Sequence, residues 1–245
     1  MRRDEWFPDL SRRITARERM DDPDCSEAQL MRTLDGFIRS NRLYARYRAV
    51  LQRWIIADML RAPSRQYRVV DLGAGGGDIA AWLLRQSQRC GLKVSVQAWD
   101  TNERVLAYAR RKYGDRAGLE FVRRDARNCD DLAAADYVFG NHFLHHLAND
   151  EIVALLRKLG TLPLRRFVFS DLLRRSHAYY LHTLAAPVLF PGTFIGFDGR
   201  LSIRKGFTVA EMEAWLTRAG IRPQTQIHTL VPARIILVGE GGQPP

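Results

Sequence analysis

The chain has 245 residues, 46% of them hydrophobic and 27% charged, which is enough apolar material for one domain, or one domain with a small appendage, and excludes a disordered or fibrous chain. Its 38 Lys and Arg against 27 Asp and Glu leave a net charge of +11. That excess invites nucleic acid or an anionic membrane surface as a partner, but it is dispersed as pairs (Arg12-Arg13, Arg110-Arg111, Arg123-Arg124, Arg165-Arg166, Arg174-Arg175) among acidic residues, with no long Lys/Arg block, so a solvated surface is the simpler reading.

Cys25, Cys90 and Cys129 form no CxxC pair, against both a disulfide framework and a zinc site. Met1 to Asp9 lacks the apolar core of a signal peptide, and no long apolar run marks a membrane span. A soluble protein of the reducing cytoplasm is expected, without a transmembrane segment.

Two helices precede the first strand. The earlier one opens with a capping box, Ser26 followed three residues later by Gln29, and ends near Asn41. The second runs from about Leu43 to Leu60, with Tyr44, Tyr47, Val50, Leu51, Trp54, Ile55 and Met59 recurring at helical spacing, and Pro63 stops it. Residues 1–63 thus read as a helical extension, a lid or packing element; its 13 Arg against 10 Asp and Glu are too even for a nucleic-acid arm.

From Tyr67 short apolar runs alternate with helical periods, the signature of βαβ units and a parallel sheet, in a domain spanning 64–245. Strands are expected at Tyr67–Leu72, Val94–Asp100, Leu119–Val122, Asp136–Gly140 and Phe167–Ser170. Helices fall at Asp78–Cys90, Glu103–Tyr113 after the cap Asn102, and Glu151–Leu159 begun at Asn149 or Asp150. Right-handed crossovers then build a doubly wound sheet. An irregular, aromatic-rich stretch from His177 to Phe207 precedes a helix from about Thr208 to Ala219, and Gln224–Leu230 and Arg234–Val238 pair antiparallel at one edge.

Gly73-Ala74-Gly75-Gly76-Gly77 lies between the apolar Val69-Val70 and a helix, where glycines permit a tight turn and a close ligand. In a dinucleotide loop the third glycine would fall at Asp78, and an acid there would repel a pyrophosphate at the helix N-terminus, which disfavours nicotinamide and flavin cofactors. Asp100 closes the second strand, where a carboxylate can accept hydrogen bonds from both ribose hydroxyls. Taken singly, each acid has the alternative of a helix cap or a surface charge.

The spacing Asp71-x-Gly73-x-Gly75-x-Gly77 resembles the first motif of class I S-adenosylmethionine-dependent methyltransferases; Asp100 matches their second motif and Asp125-Ala126 their third. The resemblance covers roughly Tyr67 to Asp171. It implies an α/β, Rossmann-like doubly wound seven-stranded sheet with the last strand antiparallel. It also implies S-adenosylmethionine as cofactor, S-adenosylhomocysteine as product, and Asp71, Gly73, Gly75, Gly77, Asp100, Thr101, Asp125, Ala126 and Asn141 as cofactor-binding residues.

Strand four ends in Asn141-His142-Phe143-Leu144-His145-His146, which resembles the Asn-x-x-x-His-His segment of small-molecule methyltransferases related to the ubiquinone and menaquinone enzymes. Strands four and five should be neighbours, so His145 can meet Asp171. A carboxylate on one imidazole nitrogen fixes the tautomer and raises basicity, leaving the other to take a proton from a substrate hydroxyl. His145 is the expected base, His146 the alternate; either ring could instead be a packing histidine. His142, His145, His146, His177 and His182 cluster in the sequence, but without HExxH or a 2-His-1-carboxylate pattern no metal is expected, and methyl transfer from a sulfonium needs none.

In this fold a segment such as 174–207 builds the acceptor pocket, and its aromatic content favours a phenol, quinol or polyketide, although core packing also accounts for part of it. His142, Tyr179, Tyr180, His182, Phe194 and Arg204 are the substrate-binding candidates. Ser202 to Phe207 resembles a loop of bacterial methyltransferases among biosynthetic enzymes, which implies secondary metabolism. The leading expectation is O-methylation of a small aromatic or lipophilic metabolite. C-methylation of a quinone-type ring is the alternative, RNA methylation and a non-catalytic binding protein stand further off, and a monomer, a homodimer and peripheral membrane contact all stay open.

Overall fold

The computed structural model describes residues 6–114, 116–128 and 130–242. Met1–Glu5, Asp115, Cys129 and Gln243–Pro245 lie outside the described residues, as do the side chains of Leu43, Tyr44 and Asp130. The Cys129 thiol and the Tyr44 position of the expected second helix therefore have no structural account.

Helix α1 (Glu27–Ser40) starts where the sequence places it, with the Ser26 hydroxyl accepting from the Gln29 N–H at 3.4 Å. Its buried stripe is Leu30, Leu34 and Ile38. The chain then makes a π turn over Asn41–Ala45 and passes through Arg46 in the left-handed region, φ +50°. The expected second helix begins only after that break, as α2 (47–59), with a further π turn at Gln52–Ile56.

Alternating elements follow: β1 (Gln66–Leu72), α3 (Asp78–Arg89), β2 (Lys93–Asp100), α4 (Glu103–Tyr113), β3 (Leu119–Arg123), β4 (Tyr137–Asn141), α5 (Asn149–Thr161) and β5 (Arg166–Leu172). Helices α6 (Ser176–Leu189), α7 (Ile195–Lys205) and α8 (Val209–Ala219) precede the hairpin β6 (Thr225–Leu230) and β7 (Arg234–Gly239). Among the described residues, seven strands form one sheet in the order β3-β2-β1-β4-β5-β7-β6. β1 to β5 run parallel, and β7 is antiparallel to both β5 and β6.

Both faces of this sheet are covered, which is why its central strands read as unbroken apolar runs. On one side Ile55, Ile56 and Met59 of α2 and Leu83 and Leu84 of α3 pack against Val69 and Ala98. On the other, Leu155, Leu156 and Leu159 of α5 and Met212 and Leu216 of α8 pack against Val70, Val138 and Phe169. Between β1 and β4 the strand order reverses, and ligands of such sheets bind in the crevice outside the carboxyl ends at that point.

One expectation changes here. The stretch 177–207 is two helices, not irregular chain: its period is hard to see because α6 is apolar nearly all round, contains Pro187, and leaves Leu184 and Val188 67% and 79% exposed. The final hairpin pairs antiparallel at one edge as expected, with β7 beside β5 and β6 outermost.

Candidate active site

The loop after β1 turns through three glycines with positive φ, Gly73 (+67°), Gly75 (+52°) and Gly77 (+74°). The Gly75 N–H donates to Asp100 Oδ2 at 2.9 Å, while Asp100 Oδ1 accepts from the Asn102 N–H at 2.9 Å, so the end of β2 holds the loop in shape. Asp71 is buried, and burial, with Asp78 and Asp100 next, pushes its carboxyl well above the usual range. Burial likewise raises Asp78, against the pull of the Asn41 amide that donates to it, and Asp100. Three crowded carboxyl groups beside an open glycine loop suit a cation and repel a diphosphate.

Asp71, Gly73, Gly75, Asp100, Thr101, Asp125, Ala126 and Asn141 all line one cavity of about 1170 Å³. Gly77 sits behind it, where an added Cβ would lie 2.5 Å from Phe121. The Asp125 carboxylate is taken by its neighbour, with the Arg127 N–H and Nε each donating at 2.9 Å and Arg127 reaching on to Glu151 at 3.1 Å. Asn141 accepts from Arg234 Nη2 at 2.7 Å.

At the end of β4, the His145 ring lies 2% exposed against β5, with Nδ1 2.7 Å from Asp171 Oδ1. The Asp171 carboxylate also accepts from the His145 N–H at 3.3 Å and the Leu172 N–H at 2.7 Å, so it fixes both ring and backbone. On the far side, Nε2 faces Glu18 Oε1 at 3.5 Å and makes no hydrogen bond. Burial alone would lower this imidazole; Asp171 and Glu18 outweigh it and push it up from 6.5 to about 9. The same pairing holds the Asp171 and Glu18 carboxyls below their usual range in spite of burial.

His142 occupies the left-handed region, φ +56°, and its Nε2 accepts from Arg234 Nη1 at 2.6 Å. Burial, then Arg234, pushes its pKa well below the usual value, so it is a neutral acceptor. Arg234, itself 2% exposed, also donates to Ser170 Oγ at 2.6 Å and ties β4, β5 and β7 together at the site. His146 is partly exposed, with Nε2 3.9 Å from Glu18 Oε1 and Nδ1 3.6 Å from Asp21 Oδ2. His145 with Glu18 and His146, and His145 with His142 and Asp171, have metal-like spacing. Lys205 on the same Glu18 oxygen and Arg234 on His142 are cations against each group.

The cavity is also lined by Phe37, Leu181, His182, Ala185, Phe190 and Ile195. His182 faces the Ile195 carbonyl at 2.9 Å, and burial lowers its pKa. Tyr179, Tyr180, Phe194 and Arg204 do not line the cavity. Tyr179 packs edge-on to Tyr180, whose hydroxyl donates to the Trp6 carbonyl, and Phe194 joins Leu30, Leu34, Val105 and Tyr108. Helices α6 and α7 do form the wall, by faces other than those the aromatic residues suggest.

Sequence reasoning did not find Glu18, Lys205, Ser202, Arg13, Arg174 or Arg234. Arg13 donates to the carbonyls of His145, Leu147 and Lys205 and stacks 4.7 Å over the Phe207 ring. Arg174 donates to the carbonyls of Leu10, Ser11 and Gly206. Together they strap the segment before α1 across the site. Local signals were Arg234, a charge opening the apolar run Ile235-Ile236-Leu237-Val238, and the stretch Ser202 to Phe207, which contains Ser202 and Lys205.

Residues 69–162 match the family model described as a methyltransferase domain. No curated protein matches the sequence significantly. Among solved structures, the chain resembles the magnesium protoporphyrin IX methyltransferase of Synechocystis PCC 6803 with bound SAH, at 16% identity and a TM-score of 0.53, over 98% of this chain and 94% of that one. Human N-acetylserotonin methyltransferase in complex with SAM aligns at 17% identity and a TM-score of 0.60, over 89% of this chain and 57% of that one. The plantazolicin methyltransferase BpumL in complex with SAH aligns at 14% identity and a TM-score of 0.60, over 88% and 97%. At such identities these likenesses speak to the fold.

Proposed function

We propose, from the premise that this chain is a class I S-adenosylmethionine-dependent methyltransferase with its methyltransferase domain at residues 69–162, that it methylates an oxygen of a small aromatic or lipophilic metabolite. The observation that carries this reading is the buried His145–Asp171 pair, 2.7 Å apart, whose imidazole lines the same cavity as the glycine loop and the apolar residues of α6 and α7.

When bound, the cofactor supplies an electrophilic methyl group on a sulfonium. The residues present fit such a group: Asp71, Asp78 and Asp100 oppose a cation with carboxyl groups, and Gly73 and Gly75 leave the backbone open to a close ligand. Asp100 and Thr101 would hold the ribose side, and Asp125 and Ala126 the base side.

Asp171 keeps the His145 Nδ1–H in place and leaves Nε2 toward the acceptor. A neutral hydroxyl on a neutral imidazole and an oxyanion on an imidazolium differ only in the position of one proton. His145 would hold the acceptor's proton on Nε2 while the acceptor oxygen takes up the methyl group that the bound sulfonium would supply, and Asp171 would stabilise the imidazolium. The apolar wall of α6 and α7 excludes water from that exchange.

Incubation with methyl-labelled donor and a panel of phenols, quinols and aromatic polyketides tests this reading. The expected product carries a new O-methyl group. His145→Ala should lower kcat by about 10²–10⁴-fold with donor affinity retained. A product methylated on ring carbon, or undiminished turnover in both His145→Ala and Asp171→Asn, would overturn it.

A further inference from the structure

Glu18 is 3% exposed, and its carboxylate rests among donors drawn from two other parts of the fold. Lys205 Nζ donates to Oε1 at 2.9 Å and Ser202 Oγ at 2.8 Å, both from α7. The His145 Nε2 at 3.5 Å and the His146 Nε2 at 3.9 Å face the same oxygen from the segment after β4. The other charged groups around it are accounted for. Asp171 lies behind His145, Asp198 accepts from the Arg19 and Met20 N–H groups, and Asp21 faces His146. Lys205 is itself 5% exposed, and burying it beside an imidazolium is costly unless an anion lies between them.

Two observations mark this as a ligand site and not only an internal ion pair. The His145 Nε2 is fully buried yet makes no hydrogen bond, so its best partner is something other than Glu18. Glu18, His145 and Ser202 also form part of the wall of the cavity that holds the glycine loop and the apolar acceptor half. A carboxylate at this point stands where an acceptor oxygen must come to meet His145.

We infer that Lys205, Ser202 and the His145 Nε2 form an oxyanion site for the acceptor, and that Glu18 is the chain's own occupant of it, displaced when an acceptor bearing an ionisable oxygen acid binds. The inference rests on the proposed methyl transfer and narrows its substrate class to phenols or enols that ionise easily, or carboxylic acids. A neutral alcohol would leave Lys205 and His145 without a counter-charge once Glu18 had moved. The flanks of Glu18 are held by contacts that do not involve its carboxylate, through Arg13 and Arg174 on one side and Asp198 on the other.

The test uses the full chain and binding, not turnover. Benzoate, its neutral analogue benzamide, and 4-nitrophenol, whose anion is coloured, are titrated into the wild type, Glu18→Ala and Glu18→Gln at constant ionic strength. Both variants should bind benzoate or 4-nitrophenolate about tenfold or more tightly than the wild type. The phenol should be bound as its coloured anion, benzamide should show no gain, and the gain should vanish in Glu18→Ala/Lys205→Met. A preference for benzoate over 4-nitrophenolate would identify carboxylic acids as the acceptors, and the reverse phenols. Should Glu18→Ala fail to fold, the isosteric Glu18→Gln carries the same comparison. Equal binding by variants and wild type, an equal gain for benzamide, or a gain that survives loss of Lys205 overturns the inference. Because no methyl transfer is read, these failures are separate from failure of the proposed activity.

Discussion

Gly73 is a position where the glycine loop has little room. Its φ of +67° is unfavourable for any side chain, and an added Cβ would lie 2.5 Å from Phe143 Cδ2. Gly73→Ala should therefore destabilise the fold by about 1–3 kcal/mol and weaken donor binding, measured by denaturant unfolding and calorimetric titration. Gly75→Ala, with nothing within 4 Å of the new Cβ, should show the smaller loss of the two. Equal losses would mean that packing against Phe143 does not matter. Asp100 and the pair His145/Asp171 were legible in the sequence because each lies at or just past the end of a strand whose place in the sheet follows from its order, and Asp71 and Asp125 through the resemblance of their motifs to those of class I methyltransferases. Glu18, Lys205 and Arg234 were not, because each meets its partners 64 or more residues away in the chain, and only packing brings those segments together.

The elements themselves were legible wherever a period and a cap agreed, as at Ser26 before α1 and Asn102 before α4. They were least so at α6 and α7, where an apolar helix with an internal proline offers no clean stripe. Among the described residues the segment before α1 has little regular structure to detect beyond a 3-10 turn at Arg19–Asp21, and what holds it is largely a set of arginine-to-carbonyl bonds. Arg174, with none of its side chain exposed, contacts Leu10, Ser11 and Gly206 and pairs with Glu211 at 2.6 Å. Arg174→Ala should release this strap first: tryptic cleavage within 10–22 should accelerate by about tenfold or more, with a stability loss of about 2–4 kcal/mol. Unchanged cleavage, read by mass spectrometry, would show that the strap is held by other contacts.

For the molecule as a whole, the net charge of +11 invited a nucleic-acid partner, yet the charges at the site are spent on internal contacts: Arg13, Arg174 and Arg234 all face carbonyls, carboxylates or imidazole. Global stability should carry the mark of the central pair. His145, raised from 6.5 to about 9, binds its proton more tightly folded than unfolded. Its contribution is fully present below 6.5 and lost as the pH rises through about 9. The wild-type melting temperature should thus fall across that interval, and the fall should shrink in His145→Gln; identical pH profiles by scanning fluorimetry would disprove the assignment. The strap adds a consequence of another kind. A carboxylate tied this close to its site competes at an effective concentration of about millimolar or above, so a small free anion from the surrounding solution is at a disadvantage. Under the proposed displacement of Glu18, entry would fall to molecules that bring binding energy from elsewhere, by filling the apolar wall of α6 and α7, and the segment before α1 would act as a threshold that selects for a large greasy body attached to the reacting oxygen.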